Sequence, residues 1–207
     1  MRSFSCIYNF CSYIPVRFAV YQLFQLICMN TSDLTTTLSR SLQSIGELLS
    51  SLSANDWQRP QVGGKWTIAQ EFEHVRLSTQ STAYVLSAAG RSRWHPYNGE
   101  SRSFEMLVNQ YQTALKATGS VNNAATYPTE ASAQLTIGQQ VDNWNKVTRE
   151  LITVIGELPE TDVDAYTVWK HPLLGPLTVR EMVCFTAHHT DHHHAGMIRK
   201  RTNHQSN

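Results

Sequence analysis

Between Asp33 and Leu52 the apolar residues are sparse but regular: Leu34, Leu38, Leu42, Ile45, Leu48, Leu49 and Leu52 recur every three or four positions. That period puts them on one face of an amphipathic helix. Residues 54–65 then read as a connector, punctuated by Pro60 and Gly63-Gly64. Three further helices announce their own first turns. Thr67 with Gln70, Thr136 with Gln139 and Thr178 with Glu181 are capping boxes, in which the two side chains satisfy backbone N–H groups that a helix start leaves unpaired. The first opens a helix expected to run to about Ala89, with Ile68, Phe72, Val75, Thr79 and Leu86 as its stripe. The second carries Val141, Trp144, Val147, Leu151, Val154 and Ile155 and is stopped by Pro159. The third reaches about Arg201. A shorter helix over Ser103–Thr118 shows Phe104, Leu107, Val108, Tyr111 and Leu115 on one side. Residues 90–102, 119–134 and 162–176 read as loops, and no convincing strand alternation is found. The expectation is an all-α chain: a four-helix bundle with long connecting loops and one extra short helix.

Composition changes this picture at one end only. Of 207 residues, 17 are Lys or Arg and 16 are Asp or Glu, a net charge of +1. That balance excludes the broad basic field of a general nucleic-acid binder. The chain has four cysteines, of which Cys6, Cys11 and Cys28 fall in the first 28 residues, together with seven of its 20 aromatics. Those 28 residues hold Arg2 and Arg17 as their only charges, and the uncharged runs Ser3–Val16 and Phe18–Ser32 are 14 and 15 residues long. Each is short of the roughly 20 apolar residues of a spanning helix. Pro15 and Arg17 interrupt what would be a signal sequence, and no small-residue cleavage site follows. Three readings stay open for residues 1–28: upstream sequence before a true start at Met29, a signal or anchor, or an additional helix. Residues 29–207 are read as one domain with 15 basic and 16 acidic side chains, a charge of −1, and Cys184 as its sole cysteine. The hint of disulfides and an oxidising compartment then disappears, and a cytoplasmic location is expected, with no membrane or nucleic-acid partner for the folded domain.

The chemistry concentrates near the end. His188, His189, His192, His193 and His194 are five histidines within seven residues of a predicted helix. Residues four apart share a face, so His188 with His192, or His189 with His193, could chelate one ion. The stripe Val179, Met182, Val183, Thr186 continues through His189, His193 and Met197, which points the second pair inward. A chelating pair needs a third ligand from elsewhere. His74 is available, but it lies about 120° around its helix from Ile68 and by phase alone reads as a surface or flank residue.

The run Gly64-Lys65-Trp66-Thr67 through His74, followed by His189-Thr190-Asp191-His192-His193, resembles the DinB/YfiT-like superfamily. Members open their second helix with Trp-Ser/Thr, carry a histidine eight residues after that Trp, and place a His-x-x-x-His pair on the last bundle helix. His171-Pro172-Leu173-Leu174-Gly175 with Leu177-Thr178-Val179 also resembles the segment before that helix in the YfiT branch. The likeness covers about Asp33–Met197. It implies a four-helix bundle in which His74, His189 and His193 bind a divalent metal, zinc first, with nickel or manganese as alternatives. It also implies a metal-dependent hydrolase or low-molecular-weight-thiol transferase acting on a small electrophile, and a homodimer. One departure is plain. Many members have Gln or His three residues beyond the second ligand of the pair, where this chain has Gly196.

Three neutral imidazoles leave positions open on a divalent ion, as in catalytic rather than structural sites. Glu71, one turn before His74, and Asp191, beside the pair, are the candidate general acid or base groups. Trp169 and His171 are candidates for a pocket mouth, and Cys184, Trp57, Trp66 and Trp144 for packing or helix entry. No phosphate-cradling glycine loop, Ser/His/Asp order or nucleotide fingerprint is present. The competing class is a non-enzymatic metal- or partner-binding bundle with a vestigial site.

Overall fold

The helix-starting chemistry repeats at nearly every element. In the computed structural model, which describes residues 30–119 and 124–202, α1 (Thr31–Ser51) begins with a box between Asn30 and Asp33, and α2 (Ala54–Gln58) with one between Ser53 and Asp56. The Thr67 and Gln70 box opens α3 (Ile68–Leu86). Ser103 caps α4 (Phe104–Thr118), Thr129 with Ser132 opens α5 (Glu130–Ala133), and Thr136 with Gln139 opens α6 (Ile137–Gly156). The last helix, α7 (Val179–Thr202), starts where Thr178 and Glu181 exchange their backbone N–H groups at 3.1 and 3.2 Å. The extra short helix is α4, and α2 and α5 add two single turns inside the predicted connectors. The expectations about residues 1–28, including the start at Met29, lie outside the described residues.

The four long helices α1, α3, α6 and α7 form the bundle. α1 packs on α6 and α7, α3 packs on the same two, and α4 lies outside against α7. Leu38, Ile45, Phe72, Val75, Leu151 and Ile155 are fully enclosed at its centre, and Trp57 and Trp144 meet Phe72 with ring centroids 5.6 Å away in each case. The chain is predominantly α-helical, as expected. Among the described residues no helix is long and apolar enough to cross a membrane.

The loops differ from expectation. Residues 90–102 and 162–176, read as irregular, contribute β1 (His95–Pro96), β2 (Tyr166–His171) and β3 (Gly175–Thr178), an antiparallel sheet in the order β1-β2-β3. The strands escape a period-two reading because β2 is mostly half-exposed and carries a register irregularity between Thr167 and Trp169. The β2–β3 turn also lacks Asn-Gly. A side chain closes it instead: His171 Nδ1 accepts the N–H groups of Leu173 and Leu174 at 3.0 and 3.2 Å, and Gly175 supplies the positive φ of 71°. The hairpin feeds α7 directly and is pinned by Arg102. The Arg102 guanidinium donates to both Glu181 oxygens at 2.8 Å and to the carbonyls of Leu174 and Pro176 at 2.9 Å. The start of α7, and hence the azimuth of its histidines, is thereby fixed from three sides.

Candidate metal centre

The seam between α3 and α7 carries the histidines. His189 and His193 face α3 across one turn of α7, their ring centroids 4.5 Å apart. His74 approaches from α3, with centroids 5.0 Å from His189 and 4.8 Å from His193. One ring nitrogen from each of the three can be chosen so that all lie within 4.8 Å of one another. His74 Nε2 and His189 Nε2 are 3.1 Å apart, against roughly 3.4 Å for two nitrogens bound about 2.1 Å from one tetrahedral zinc.

Helix phase misjudged His74 because α3 serves two neighbours. Its buried arc runs well beyond the apolar stripe, through Glu71, Glu73 and Thr82, and the flank of the stripe is the face that meets α7. Two connectors complete its surroundings. Gly63 and Gly64 turn with φ of 73° and 68° and deliver Trp66, whose ring lies 5.3 Å from His74 and 5.3 Å from Tyr127. Trp66 is therefore a wall of the site as well as a helix-entry residue. The turn Ala124–Thr126 offers the Thr126 carbonyl, which accepts the His74 Nδ1–H at 2.9 Å.

That bond settles the ring's chemistry. A neutral imidazole that donates from Nδ1 has a bare lone pair on Nε2, and His74 Nε2 is the atom facing His189. His193 is held likewise, its Nδ1 2.9 Å from Glu71 Oε1. One nitrogen from each ring thus lies within 4.8 Å of the others, a donor set suited to a shared metal cation. Burial, reinforced by the neighbouring His193, pulls His74 down to about 4. Burial, with His193 and His74 beside it, puts His189 well below the ordinary histidine value. Near neutral pH both rings are therefore in the form that ligates metal.

The other sequence candidates sit around this centre. Burial alone would push the Glu71 carboxyl up, but hydrogen bonds from His193 and from the Lys200 ammonium outweigh it and hold the group below the usual carboxylate range. Both its oxygens are engaged, Oε1 by His193 and Oε2 by Lys200. Asp191 and His192 are exposed on the outer side of α7. His188 packs edge-on against Phe104 and Tyr111, with its Nε2 buried and unpartnered. His194 is half-buried and lines a groove toward α1. His171, spent on the β2–β3 turn, is enclosed by Trp169, Tyr111 and Phe185. Phe185 in turn lies 5.5 Å from His189, so an aromatic wall continues from the hairpin to the centre. Cys184 is buried, and its thiol is pushed up to about 12 by that burial, which makes it a packing group and not a competing ligand.

A family model described as the DinB superfamily matches residues 37–197, a stretch that holds all three histidines. The chain belongs to the DinB superfamily. Neither curated proteins nor solved structures gave a match. Membership and the three-imidazole cluster together fit a metal-binding DinB-like protein. Within the DinB-type bundle of this chain, Gly196 also has a physical reason. A Cβ at that position would stand 2.4 Å from Glu71 Oε1, so the space a side chain would need is occupied by a carboxylate from α3.

Proposed function

We propose that this DinB-superfamily chain is a metal-dependent enzyme of hydrolase or thiol S-transferase type, acting on a small electrophile, with His74, His189 and His193 holding one divalent ion. Zinc is the ion proposed first, with nickel or manganese as alternatives. The reading is carried by a single observation: three imidazoles converge across the α3–α7 seam while Thr126 and Glu71 tie back the Nδ1 atoms of two of them. When bound, a divalent ion in a three-imidazole set supplies Lewis acidity at open positions, enough to make water or a small thiol nucleophilic near neutral pH.

The remaining work falls to the chain's own groups. Thr126 and Glu71 hold two ring protons at Nδ1, so that the opposite nitrogens stay bare and correctly aimed. Trp66 packs against the His74 ring and Phe185 against the His189 ring, shielding these two ligands in part from bulk water. In this reading Glu71 acts on His193 and not on substrate, since neither of its oxygens is free. Asp191, exposed on the far side of α7, receives no step.

The test is metal content followed by turnover. The wild type should carry one zinc per chain by mass spectrometry and His74→Ala none; full stoichiometry in the variant overturns the three-ligand centre. The loaded wild type is then offered thiols with electrophiles such as a chlorobimane probe, with and without chelator. Chelator-sensitive turnover supports the enzyme. A loaded chain that turns over no member of the panel supports the non-enzymatic, metal-binding alternative.

A further inference from the structure

We propose that Glu71, Gly196 and Lys200 form a positioning device for His193, in which a notch cut into α7 by a glycine admits a carboxylate from α3. The inference rests on the three-histidine reading and adds to it the means by which one ligand is aimed.

Glu71 stands in the first turn of α3, where the helix dipole favours negative charge. Its side chain is nevertheless almost enclosed, with 9% of its area exposed. A buried carboxylate is costly unless it is paired on all sides. Here Oε1 takes the His193 Nδ1–H at 2.9 Å and Oε2 takes the Lys200 ammonium, so the charge is fully compensated by two groups from one helix.

Those two groups flank Gly196, three residues after His193 and four before Lys200 on α7. An added Cβ would lie 2.4 Å from Glu71 Oε1 and 3.3 Å from its Cδ, the first well inside any real carbon–oxygen contact. Gly196 has no left-handed φ, so conformational freedom is not its purpose. Glycine inside a helix is disfavoured relative to alanine, and the space it leaves is what the carboxylate requires. A side chain at this position would displace Glu71 from His193.

The consequence is specific. Accepting the Nδ1–H selects the tautomer with a bare Nε2, fixes the ring's azimuth and strengthens the ring as a ligand. Lys200 holds the second oxygen, which keeps Glu71 from turning inward to become a ligand itself and so preserves the open positions. Glu71 is thus a positioning residue, and Gly196 is its steric licence.

The experiment measures zinc affinity by competition titration with the zinc ion alone. It also reads histidine tautomers of the zinc-free full chain from long-range proton–nitrogen correlation spectra. Glu71→Ala and Gly196→Ala should each weaken zinc about 10- to 100-fold while keeping one ion per chain, and both should turn the single Nδ1–H tautomer of His193 into a mixture. Glu71→Gln retains an oxygen acceptor without the charge. It should keep the tautomer and fall between wild type and Glu71→Ala in affinity. Unchanged zinc affinity and an unchanged tautomer in Gly196→Ala and Glu71→Ala overturn the device. Should Glu71→Ala fail to fold, Gly196→Ala and Glu71→Gln decide by the same readouts. Wild type that binds no zinc overturns the three-histidine reading instead, and the tautomer spectra then still judge the positioning of His193 separately.

Discussion

Helix α3 makes two interfaces of opposite character. Toward α6 it is closed by carbon: Phe72 meets Trp144 edge to face, and the polar group present is satisfied, the buried Glu73 carboxylate taking two bonds from Arg76 at 2.7 and 2.8 Å and one from Gln140 at 3.1 Å. Toward α7 it is closed by nitrogen, with ring nitrogens of His74, His189 and His193 gathered within 4.8 Å of one another. The first seam spends its residues on stability. The second gathers imidazoles, of which burial keeps His74 and His189 below the ordinary histidine value, around a point that a shared cation could occupy. A bundle helix with two partners can thus carry its core and its chemistry on different flanks.

The sharpest way to break this contrast is to exchange function for packing at one site. His189→Leu should abolish zinc binding altogether, by metal analysis, yet cost the zinc-free chain less than about 2 kcal/mol in urea unfolding, because a buried imidazole gives way to an apolar group. Phe72→Ala should do the reverse, losing about 3–5 kcal/mol of stability with one zinc still bound per chain where the protein is folded. Equal stability losses in the two variants would mean that the seams do not differ as described.

Acidity separates the regions less strongly. His74 and His171 are both pulled from 6.5 to about 4 by burial, His74 further by His193 and His171 by Arg102. The unfolded chain therefore binds protons more readily than the folded one. Stability should be complete above pH 6.5 and should fall as the pH drops toward 4, by up to about 3 kcal/mol for each group. Saturating zinc should steepen the fall, because protons and the ion compete for His74. A urea midpoint that stays flat across that window would remove the basis for calling these rings buried and neutral.

The smallest expected effect is a silence. With its thiol pushed up to about 12 by burial, Cys184 should stay unmodified by iodoacetamide in the folded chain near neutral pH and become labelled in denaturant, as mapped by peptide mass. Labelling under native conditions would place Cys184 outside the apolar interior.

Much of this was legible along the chain. The leucine period of α1 and the Thr67, Thr136 and Thr178 boxes are local signals, and the elements follow them closely. The inward pair His189 and His193 followed from the stripe that runs through Met197. The hairpin was not legible, because its turn is made by the His171 ring and not by a turn residue with a known signature. His74 was not legible from phase, because a one-stripe reading assumes one partner for a helix that has two. Trp66 looked like helix entry and proves to be a wall as well, since its second neighbour, Tyr127, arrives from a distant connector.

The sequence by itself determined which residues share a helix face and where each helix begins, because those depend on a 3.6-residue period and on contacts three or four residues apart. Only the tertiary structure decided which faces meet. It brought His74 within 3.1 Å of a histidine 115 residues away, and it set Glu71 into the space left by Gly196. No local rule contains these contacts, since each is a matter of volume and charge shared between helices that the chain joins only through long connectors.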